Sequence, residues 1–515
     1  MSLKKLQIYP LNRVEGDLEL QIEIESDMVV DARCSGIMYR GFENLLVGRA
    51  ALDGLVLTPR ICGICSTSHL LAAAKSLDMF YNADVPDNAK RVRNITSIAE
   101  MIQNDLRHAI LLFMPDFTHV RYRESPYYDE TLKRYAPLKG ESTIQTIRET
   151  KRMLEIIAIL GGQWPHSSFM VPGGVVSVPS ANDINQCLFL LKKYRMWYEN
   201  QVLGCRIERW LDIKSAADLQ DWIDEAQSHA RSDLGFYIQL AEMAGLKHIG
   251  RGHGNFICSG SLDMPGHTDI RNLCGTNGTT FLPAGFSHNL NIEPLNQEKI
   301  TEDLSHSWFN DDGIAKHPFE GDTVPYATGR ESGKYSWTKA PRYAGMPAET
   351  GPLAEMVVGS VPLFVDLVKH DGTNAFVRQL ARMVRTAYLL PVMEQWLKEI
   401  VACNEDFYAY HGEMDDGKGF GLIEAPRGFL GHWVKIKDEK ISRYQIITPT
   451  AWNASPRDDQ GVRGPWEEAL VGTQIQDADQ PIEVDHIIRS FDPCLVCTVH
   501  AVDLKAGSKI QPIGG

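Results

Sequence analysis

The sequence predicts a predominantly helical α+β fold, in which a long helical middle forms a bundle core and small antiparallel sheets lie near the N-terminal and C-terminal parts. Two patterns support this prediction. Over residues 18–25 apolar and polar residues alternate, which is typical of a half-buried strand, and Ser26 with Asp27 predicts a turn into a second strand over 28–30. Over 92–113 apolar residues instead recur every three or four positions, which predicts a helix with one buried face.

The rest of the chain continues this order of elements. It predicts helices over 144–160 and 184–211, further helices between 353 and 404, and strands over 420–450. Gly161 and Gly162 predict the end of the first of these helices, because glycine is favoured just after a helix C-terminus. Asp438, Glu439 and Lys440 predict a hairpin turn within the strand region.

Composition excludes several classes of protein. The chain has 515 residues, is 43% hydrophobic and carries a net charge of −14, without a block of Lys or Arg. It is therefore a poor candidate for binding nucleic acid, which needs a basic face. No apolar run is long enough for a transmembrane helix, and the first residues lack the apolar region of a secretory signal. Length alone would suggest about three domains.

Four of the ten cysteines form two pairs with the spacing of metal ligands. Cys62 and Cys65 lie near the N-terminus, and Cys494 and Cys497 lie near the other end of the chain. The two thiolates of a C-x-x-C pair can converge on one metal ion. Four such thiolates suit zinc, an iron–sulfur cluster or another soft metal, while a redox dithiol stays open. A structural zinc site is the simplest alternative.

The residues around the two pairs favour a different interpretation. Arg60 precedes the first pair, Asp492 and Pro493 precede the second, and His69 and His500 follow them. A zinc knuckle needs none of these. Nearly end to end, the sequence resembles the large, catalytic subunit of nickel–iron hydrogenases. The other motifs that carry the resemblance are RVEG at 13–16, MYRGFE at 38–43, KYSWTKAPRY at 334–343, APRG at 425–428, PTAWNASPRD at 449–458 and RGP at 463–465.

The resemblance implies a nickel–iron centre with carbon monoxide and cyanide ligands on the iron. Nickel would be held by Cys62, Cys65, Cys494 and Cys497, and the second cysteine of each pair would bridge to the iron. Heterolytic splitting of dihydrogen needs a polarising metal and a nearby base that takes the proton. The family gives the role of base to Cys494 and the role of proton relay to Glu15, for which burial would raise the carboxyl pKa.

Further residues match the shell around the centre in this family. Arg427 would lie over the metals and donate to a cyanide, and Thr450 would donate to a second cyanide. Asp492 and Pro426 would belong to the same group of residues over the metals, called the canopy here. His69 is expected to form a hydrogen bond near the bridging sulfur rather than to bind a metal.

A second metal site is also implied by the resemblance. Glu43, His500 and the backbone carbonyl of Ile446 match a magnesium (or iron) site of the family, and oxygen ligands with retained waters suit that ion. An ordinary Glu–His ion pair is the alternative. For Arg427 the alternative is a structural ion pair with an acidic neighbour such as Glu424, and for Glu15 it is a solvated side chain.

Some positions depart from the common pattern. Asp17 stands where many members have histidine, and residues 102–108 occupy the helix that often carries His-Asp-His. On that alignment Asn104 replaces the usual canopy aspartate, and Asp105 could substitute only if the helix is rotated.

The end of the chain also carries information. The fifteen residues 501–515 follow the histidine at which mature family members end, and they resemble a precursor extension that an endopeptidase removes after nickel insertion. Hydrogen-sensing members generally lack this extension. The extension therefore favours a turning-over, uptake-type enzyme over the alternative, a regulatory hydrogen-sensing subunit. Because the two cysteine pairs lie at opposite ends of the chain yet must meet at one ion, we expect residues 1–500 to form one interlocked domain, with the active site where both ends meet.

Electrons from dihydrogen need an exit that this chain does not provide, because its other six cysteines show no iron–sulfur spacing. The resemblance implies a small subunit with iron–sulfur clusters, together with the maturation endopeptidase and nickel-insertion factors. Higher oligomers of such heterodimers stay open. The expected location is cytoplasmic or membrane-associated through partners, with periplasmic export alongside the small subunit not excluded.

Overall fold

The computed structural model describes residues 3–266, 279–402, 405–410 and 412–498. These residues form a mixed fold of helices and small antiparallel sheets, as predicted. Among the helices described, none is both long enough and apolar enough to cross a membrane. The predicted extension 501–515 and the predicted ligand His500 lie outside the described residues.

The α-helices are numbered in chain order. They are α1 (Phe42–Leu46), α2 (Asp53–Leu57), α3 (Ser66–Phe80), α4 (Asp87–Arg107), α5 (Tyr128–Tyr135), α6 (Glu141–Gly161), α7 (Ala181–Trp197), α8 (Ile207–Leu211), α9 (Ala216–Glu225), α10 (Gln227–Arg231), α11 (Asp233–Met243), α12 (Pro352–Val358), α13 (Pro362–Asp371), α14 (Ala375–Ala402), α15 (Pro449–Asn453), α16 (Pro465–Leu470), α17 (Ile482–Ser490) and α18 (Leu495–Thr498). Two π-helical turns lie at His108–Phe113 and Tyr198–Leu203.

The strands form separate antiparallel sheets of two or three strands. They are β1 (Lys4–Ile8), β2 (Leu18–Glu25), β3 (Met28–Gly36), β4 (Met170–Val171), β5 (Gly174–Val175), β6 (Asn255–Asp263), β7 (Thr280–His288), β8 (Asn291–Glu293), β9 (Ile300–Asp303), β10 (Ala340–Tyr343), β11 (Gly417–Ala425), β12 (Gly428–Lys437) and β13 (Lys440–Ile447).

The N-terminal hairpin follows the predicted alternation. The apolar residues of β2 are buried, and Ser26 and Asp27 both adopt left-handed backbone angles, with φ of 53° and 62°. A two-residue loop with two positive φ angles matches the right-handed twist of the strands that it joins. The strand after the turn extends to Gly36, further than predicted, because pairing with β2 continues along its whole length.

The predicted helices are present, with one correction. Residues 92–113 lie in α4 and the π turn that continues it, and α6 ends at Gly161 and is capped by Gly162, whose φ is 82°. The helix predicted over 184–211 is wrong as one element, because it breaks at Gly204, which has a φ of 76°. A Cβ atom there would lie 2.3 Å from the Ser228 carbonyl oxygen, so the chain turns at a residue without one.

Four of the long helices pack side by side. Helix α4 packs against α6 and α14, and α7 also packs against α6 and α14.

In the C-terminal part, strands β11, β12 and β13 form a meander, and Asp438 and Glu439 make its second turn with φ angles of 52° and 59°. The first turn has only two residues, Pro426 and Arg427, so it places Arg427 at the tip of a tight hairpin.

Both ends of the chain contribute to one apolar cluster. It joins Leu18 and Leu20 of β2 to Trp466 of α16 and Ile487 of α17, all fully buried, and Leu495 lies in the same cluster. Burial of apolar side chains stabilises this contact by about 1.5–3 kcal/mol for each large residue. The fold therefore returns its C-terminal segment to its first strands.

A buried ion-pair cluster supports the hairpin tip. The Arg385 guanidinium donates to both carboxylate oxygens of Asp105, at 2.8 Å each, to Glu355 at 2.5 Å and to the Pro426 carbonyl at 2.6 Å. Arg385, Asp105 and Glu355 have no exposed side-chain surface. One cation therefore links α14, α4 and α12 to the loop that carries Arg427.

We predict that Arg385→Met lowers the free energy of unfolding by about 3–5 kcal/mol, because two buried carboxylates lose their cation. Lys398→Met is the matched control, since Lys398 in the same helix pairs with Glu394 while 61% of its side chain is exposed. The control should cost at most about 1 kcal/mol. Urea unfolding of the full chain measures both, and equal losses would contradict this role of Arg385.

Candidate metal centre

Three of the four predicted cysteine ligands lie in one buried cluster. Cys62, Cys65 and Cys494 are at most 5% exposed, and the sulfur atoms of Cys62 and Cys494 are 3.7 Å apart. Cys497 follows in α18, but its side chain is not among the described atoms. Within the described residues no three His, Cys, Asp or Glu side chains form a complete metal site. The cluster thus offers soft sulfur donors for a site whose fourth predicted ligand follows Cys494 by three residues in the sequence.

The cysteines are brought together by backbone pairing between the two ends of the chain. Glu15 and Cys494 form a parallel β-bridge, in which the Glu15 N–H donates to the Pro493 carbonyl at 3.3 Å. The Leu495 N–H donates to the Glu15 carbonyl at 2.6 Å. Gly16 follows with a φ of 85°, and a Cβ atom there would lie 2.8 Å from the Val496 nitrogen.

Glu15 is half-buried rather than solvated. Burial raises the pKa of its carboxyl, the Cys62 thiol raises it further, and the Arg427 and Arg40 guanidiniums oppose these effects. Together with Arg427 and Trp164, Glu15 lines a cavity of about 250 Å³. Its carboxyl can therefore hold a proton beside the sulfur atoms more readily than an exposed glutamate could.

Arg427 is held by Asp492. Its Nε donates to Asp492 Oδ1 at 2.9 Å and to the Asp492 carbonyl at 3.1 Å. Burial opposes ionisation of Asp492, but Arg427 lowers its pKa below the ordinary value, so the pair is charged. Arg427 therefore does form an ion pair with an acidic neighbour, but the partner is Asp492 and not Glu424, whose carboxylate accepts from the Ser259 N–H and hydroxyl.

The other carboxylate oxygen of Asp492 is bound by Asn104. The Asn104 amide donates to Asp492 Oδ2 at 2.7 Å, whereas Asp105 points to Arg385. Asn104 rather than Asp105 therefore faces Asp492, and a neutral amide lies at this position. Arg427 Nη1 is buried and has no hydrogen-bond partner among the described residues. This orphaned donor fits a centre that carries acceptor ligands.

The other predicted shell residues each have a defined hydrogen-bond partner. Thr450 Oγ1 accepts the Cys494 N–H at 3.1 Å, and the Pro426 carbonyl is fixed by the ion-pair cluster described above. His69 is hydrogen-bonded to His432 at 3.1 Å, and His432 is hydrogen-bonded to the Tyr444 hydroxyl at 2.9 Å. Burial lowers the pKa of His69 to about 4, although Cys62 opposes the shift, so its imidazole is neutral at pH 7.

Two supporting residues were missed by the sequence reasoning. The Glu100 carboxylate accepts the Thr67 N–H at 2.8 Å and the Ser68 N–H at 2.9 Å, which satisfies the start of α3 directly after Cys65. Arg40 donates to the backbone carbonyls of Ile61 and Val496, beside both cysteine pairs. Arg40 stands in the quoted MYRGFE motif, but nothing local to Glu100 indicates its partner.

The predicted second metal site is brought together in part. Glu43 Oε1 accepts the Ile446 N–H at 2.9 Å, so two of the three predicted residues lie in contact. Glu43 Oε2 accepts from the Lys339 ammonium at 3.2 Å and from the Thr323 hydroxyl. The Lys339 ammonium therefore already binds one oxygen of the Glu43 carboxylate.

Comparison with known proteins identifies the family. The family described as "Nickel-dependent hydrogenase" matches residues 40–132 and 140–500. The chain belongs to this family. It is a nickel–iron hydrogenase large subunit, and the nickel–iron centre of that family fits the buried sulfur cluster, because thiolates are the soft ligands that such metals take.

Relatives align along almost the whole chain. The periplasmic [NiFeSe] hydrogenase large subunit of Desulfomicrobium baculatum is 30% identical, with 98% of this chain and 96% of the relative covered. The uptake hydrogenase large subunit of Bradyrhizobium diazoefficiens is 27% identical, with 97% and 96% covered. The structure of the reduced Ni-Fe-Se hydrogenase from D. vulgaris Hildenborough superposes with a TM-score of 0.82 at 29% identity, covering 97% of this chain and 100% of that chain.

Proposed function

We propose that this hydrogenase splits dihydrogen reversibly and heterolytically, and works mainly in the direction of oxidation, as an uptake enzyme. The observation that carries the proposal is the convergence of Cys62 and Cys494, 3.7 Å apart, with Glu15 paired to Cys494 through the backbone. A metal site and a carboxyl proton relay would thereby adjoin one another where the two ends of the chain meet. The uptake direction is supported by the relative named as an uptake hydrogenase.

The four cysteines Cys62, Cys65, Cys494 and Cys497 would hold nickel, and Cys65 and Cys497 would also bind the iron. When bound, the centre supplies a Lewis acid that polarises dihydrogen and accepts its electrons. Arg427 would direct its orphaned Nη1 donor to a cyanide ligand on the iron. The remaining shell residues in this proposal are Thr450, Pro426, Asp492 and His69.

Proton transfer is assigned to Cys494 and Glu15. A thiolate at Cys494 would take the proton, and the Glu15 carboxyl beside it would receive the proton and pass it into the adjoining cavity. Burial and the nearby Cys62 raise the pKa of Glu15, which brings it closer to that of a thiol. Asp492 fixes the orientation of Arg427, so the cationic side of the site stays in place.

The same proposal extends to the C-terminal end. Glu43, the carbonyl of Ile446 and His500 would hold a magnesium ion, for which the contact between Glu43 and Ile446 gives support. Residues 1–500 would form one domain, and an endopeptidase would remove 501–515 after nickel-insertion factors have loaded the site.

Electrons would leave through a small subunit with iron–sulfur clusters. The relatives are named as large subunits or large chains, which supports a partner of this kind. Cellular location would follow that partner, either cytoplasmic, membrane-associated or exported with it, and one relative is named as periplasmic.

We predict that Cys494→Ala abolishes both nickel binding and hydrogen-dependent dye reduction by the complex purified with its partner. The substitution removes one of the four proposed thiolate ligands and, with it, the proposed base. Cys258→Ala is the control, because Cys258 is a buried cysteine of β6 outside the sulfur cluster. Nickel analysis and dye assays should find the control active, and a Cys494→Ala protein that keeps both properties would overturn the proposal.

We predict that Glu15→Gln reduces hydrogen oxidation by about 10²–10⁴-fold, because an amide cannot relay a proton. Nickel and iron content should stay unchanged, since Glu15 is not a proposed ligand. Glu25→Gln, at the exposed end of β2, is the matched control and should keep full activity. A Glu15→Gln enzyme with an undiminished rate would show that the proton leaves by another group.

A further inference from the structure

A single buried carboxylate joins the two ends of the chain at a distance from the sulfur cluster. Asp116 lies in the 3₁₀ turn Met114–Thr118, which follows α4 and its π turn, and it is 1% exposed. Its Oδ1 accepts from Arg13 and, at 2.6 Å, from Arg489 Nη1. Both guanidiniums therefore converge on one oxygen atom.

The two arginines directly precede the segments that pair at the site. Arg13 stands two residues before Glu15, and Arg489 lies in the last turn of α17, shortly before Cys494. Arg489 also contacts the N-terminal segment, because its Nη2 donates to Asn12 Oδ1 at 2.6 Å and to the Asn12 carbonyl at 3.0 Å. The ion pairs thus cross-link the same two segments that form the Glu15–Cys494 bridge.

The backbone of Arg13 depends on these contacts. Its φ is 54°, a left-handed conformation that costs free energy for a residue with a Cβ atom and persists only where the surroundings impose it. The side chain is held by Asp116 and by the Leu112 carbonyl, to which Nη1 donates at 2.8 Å. Without these partners, the turn that leads into Glu15 loses the contacts that fix it.

We propose that Asp116 is a positioning residue that holds the N-terminal and C-terminal segments in register, so that Glu15 lies beside Cys494. The catalytic consequence rests on the proposed function, whereas the structural cross-link does not. Among the described residues, Asp116 is the carboxylate that accepts hydrogen bonds from both arginines, in addition to the direct bonds from Arg489 to Asn12. Asp485 lies 3.3 Å from Arg489 but is partly exposed, and His486 Nδ1 is 3.9 Å from Asp116 Oδ2, beyond hydrogen-bond distance.

Hydrogen exchange of the full chain tests the cross-link independently of metal and activity. The amides of Glu15 and Leu495 are the probes, because they bond across the two segments. In Asp116→Asn we expect both to exchange roughly tenfold faster or more, since the fully buried Arg489 guanidinium and the partly buried Arg13 guanidinium lose their shared counter-charge. Asp485→Asn is the control, because Asp485 pairs with Arg489 but is partly exposed and forms no ion pair with Arg13, and the variant's amides should exchange as in the wild type. Unchanged exchange in Asp116→Asn would overturn the proposal.

A second variant and a second readout keep the test decisive. If Asp116→Asn does not fold, Arg13→Lys keeps the charge but removes the fork that reaches both Asp116 and Leu112, and it should show the same faster exchange.

In the purified complex, Asp116→Asn should lower hydrogen oxidation at least about tenfold and enlarge the solvent deuterium isotope effect, with metal content unchanged. An unaltered isotope effect would overturn the positioning role. A wild-type complex that does not oxidise hydrogen would refute the proposed function, while hydrogen exchange would still decide the cross-link.

Discussion

The backbone pairing of Glu15 with Cys494 is the interaction on which the rest of the structure depends. Two short C-x-x-C segments from opposite ends of the chain can share a metal only if the fold returns the C-terminus to its first strands. The β-bridge and the apolar cluster of β2, α16 and α17 accomplish this return. The helical middle then forms the frame that keeps the two ends in place.

The buried ion pairs fix the relative positions of the elements that carry the site more than they add to the free energy of unfolding. A buried ion pair contributes little net free energy, but breaking one leaves a costly unpaired charge, so each pair enforces one arrangement of its elements. Asp492 with Arg427, Arg385 with Asp105, and Asp116 with Arg489 act in this way around the site. Each of them joins elements far apart in sequence, and together they fix the segments that carry the site residues.

Local features were predictable from the sequence, whereas long-range partners were not. The hairpin at Ser26 and Asp27 and the end of α6 at Gly162 follow from residue types within a few positions. The break at Gly204 was missed, because it depends on the Ser228 carbonyl that approaches from another helix. The cysteine pairs and Glu15 could be chosen from motifs, but the partners of Glu100 and Asp116 are set by tertiary packing. Likewise, only the folded helix shows that Asn104 rather than Asp105 faces Asp492.

X-ray absorption at the nickel edge of the purified complex tests the central claim most directly, because it counts the sulfur atoms around the metal. The account predicts four sulfur ligands, two from each end of the chain. A nickel ion with only two sulfur neighbours, completed by nitrogen or oxygen, would show that one cysteine pair alone binds it. That result would contradict a site shared between the two ends.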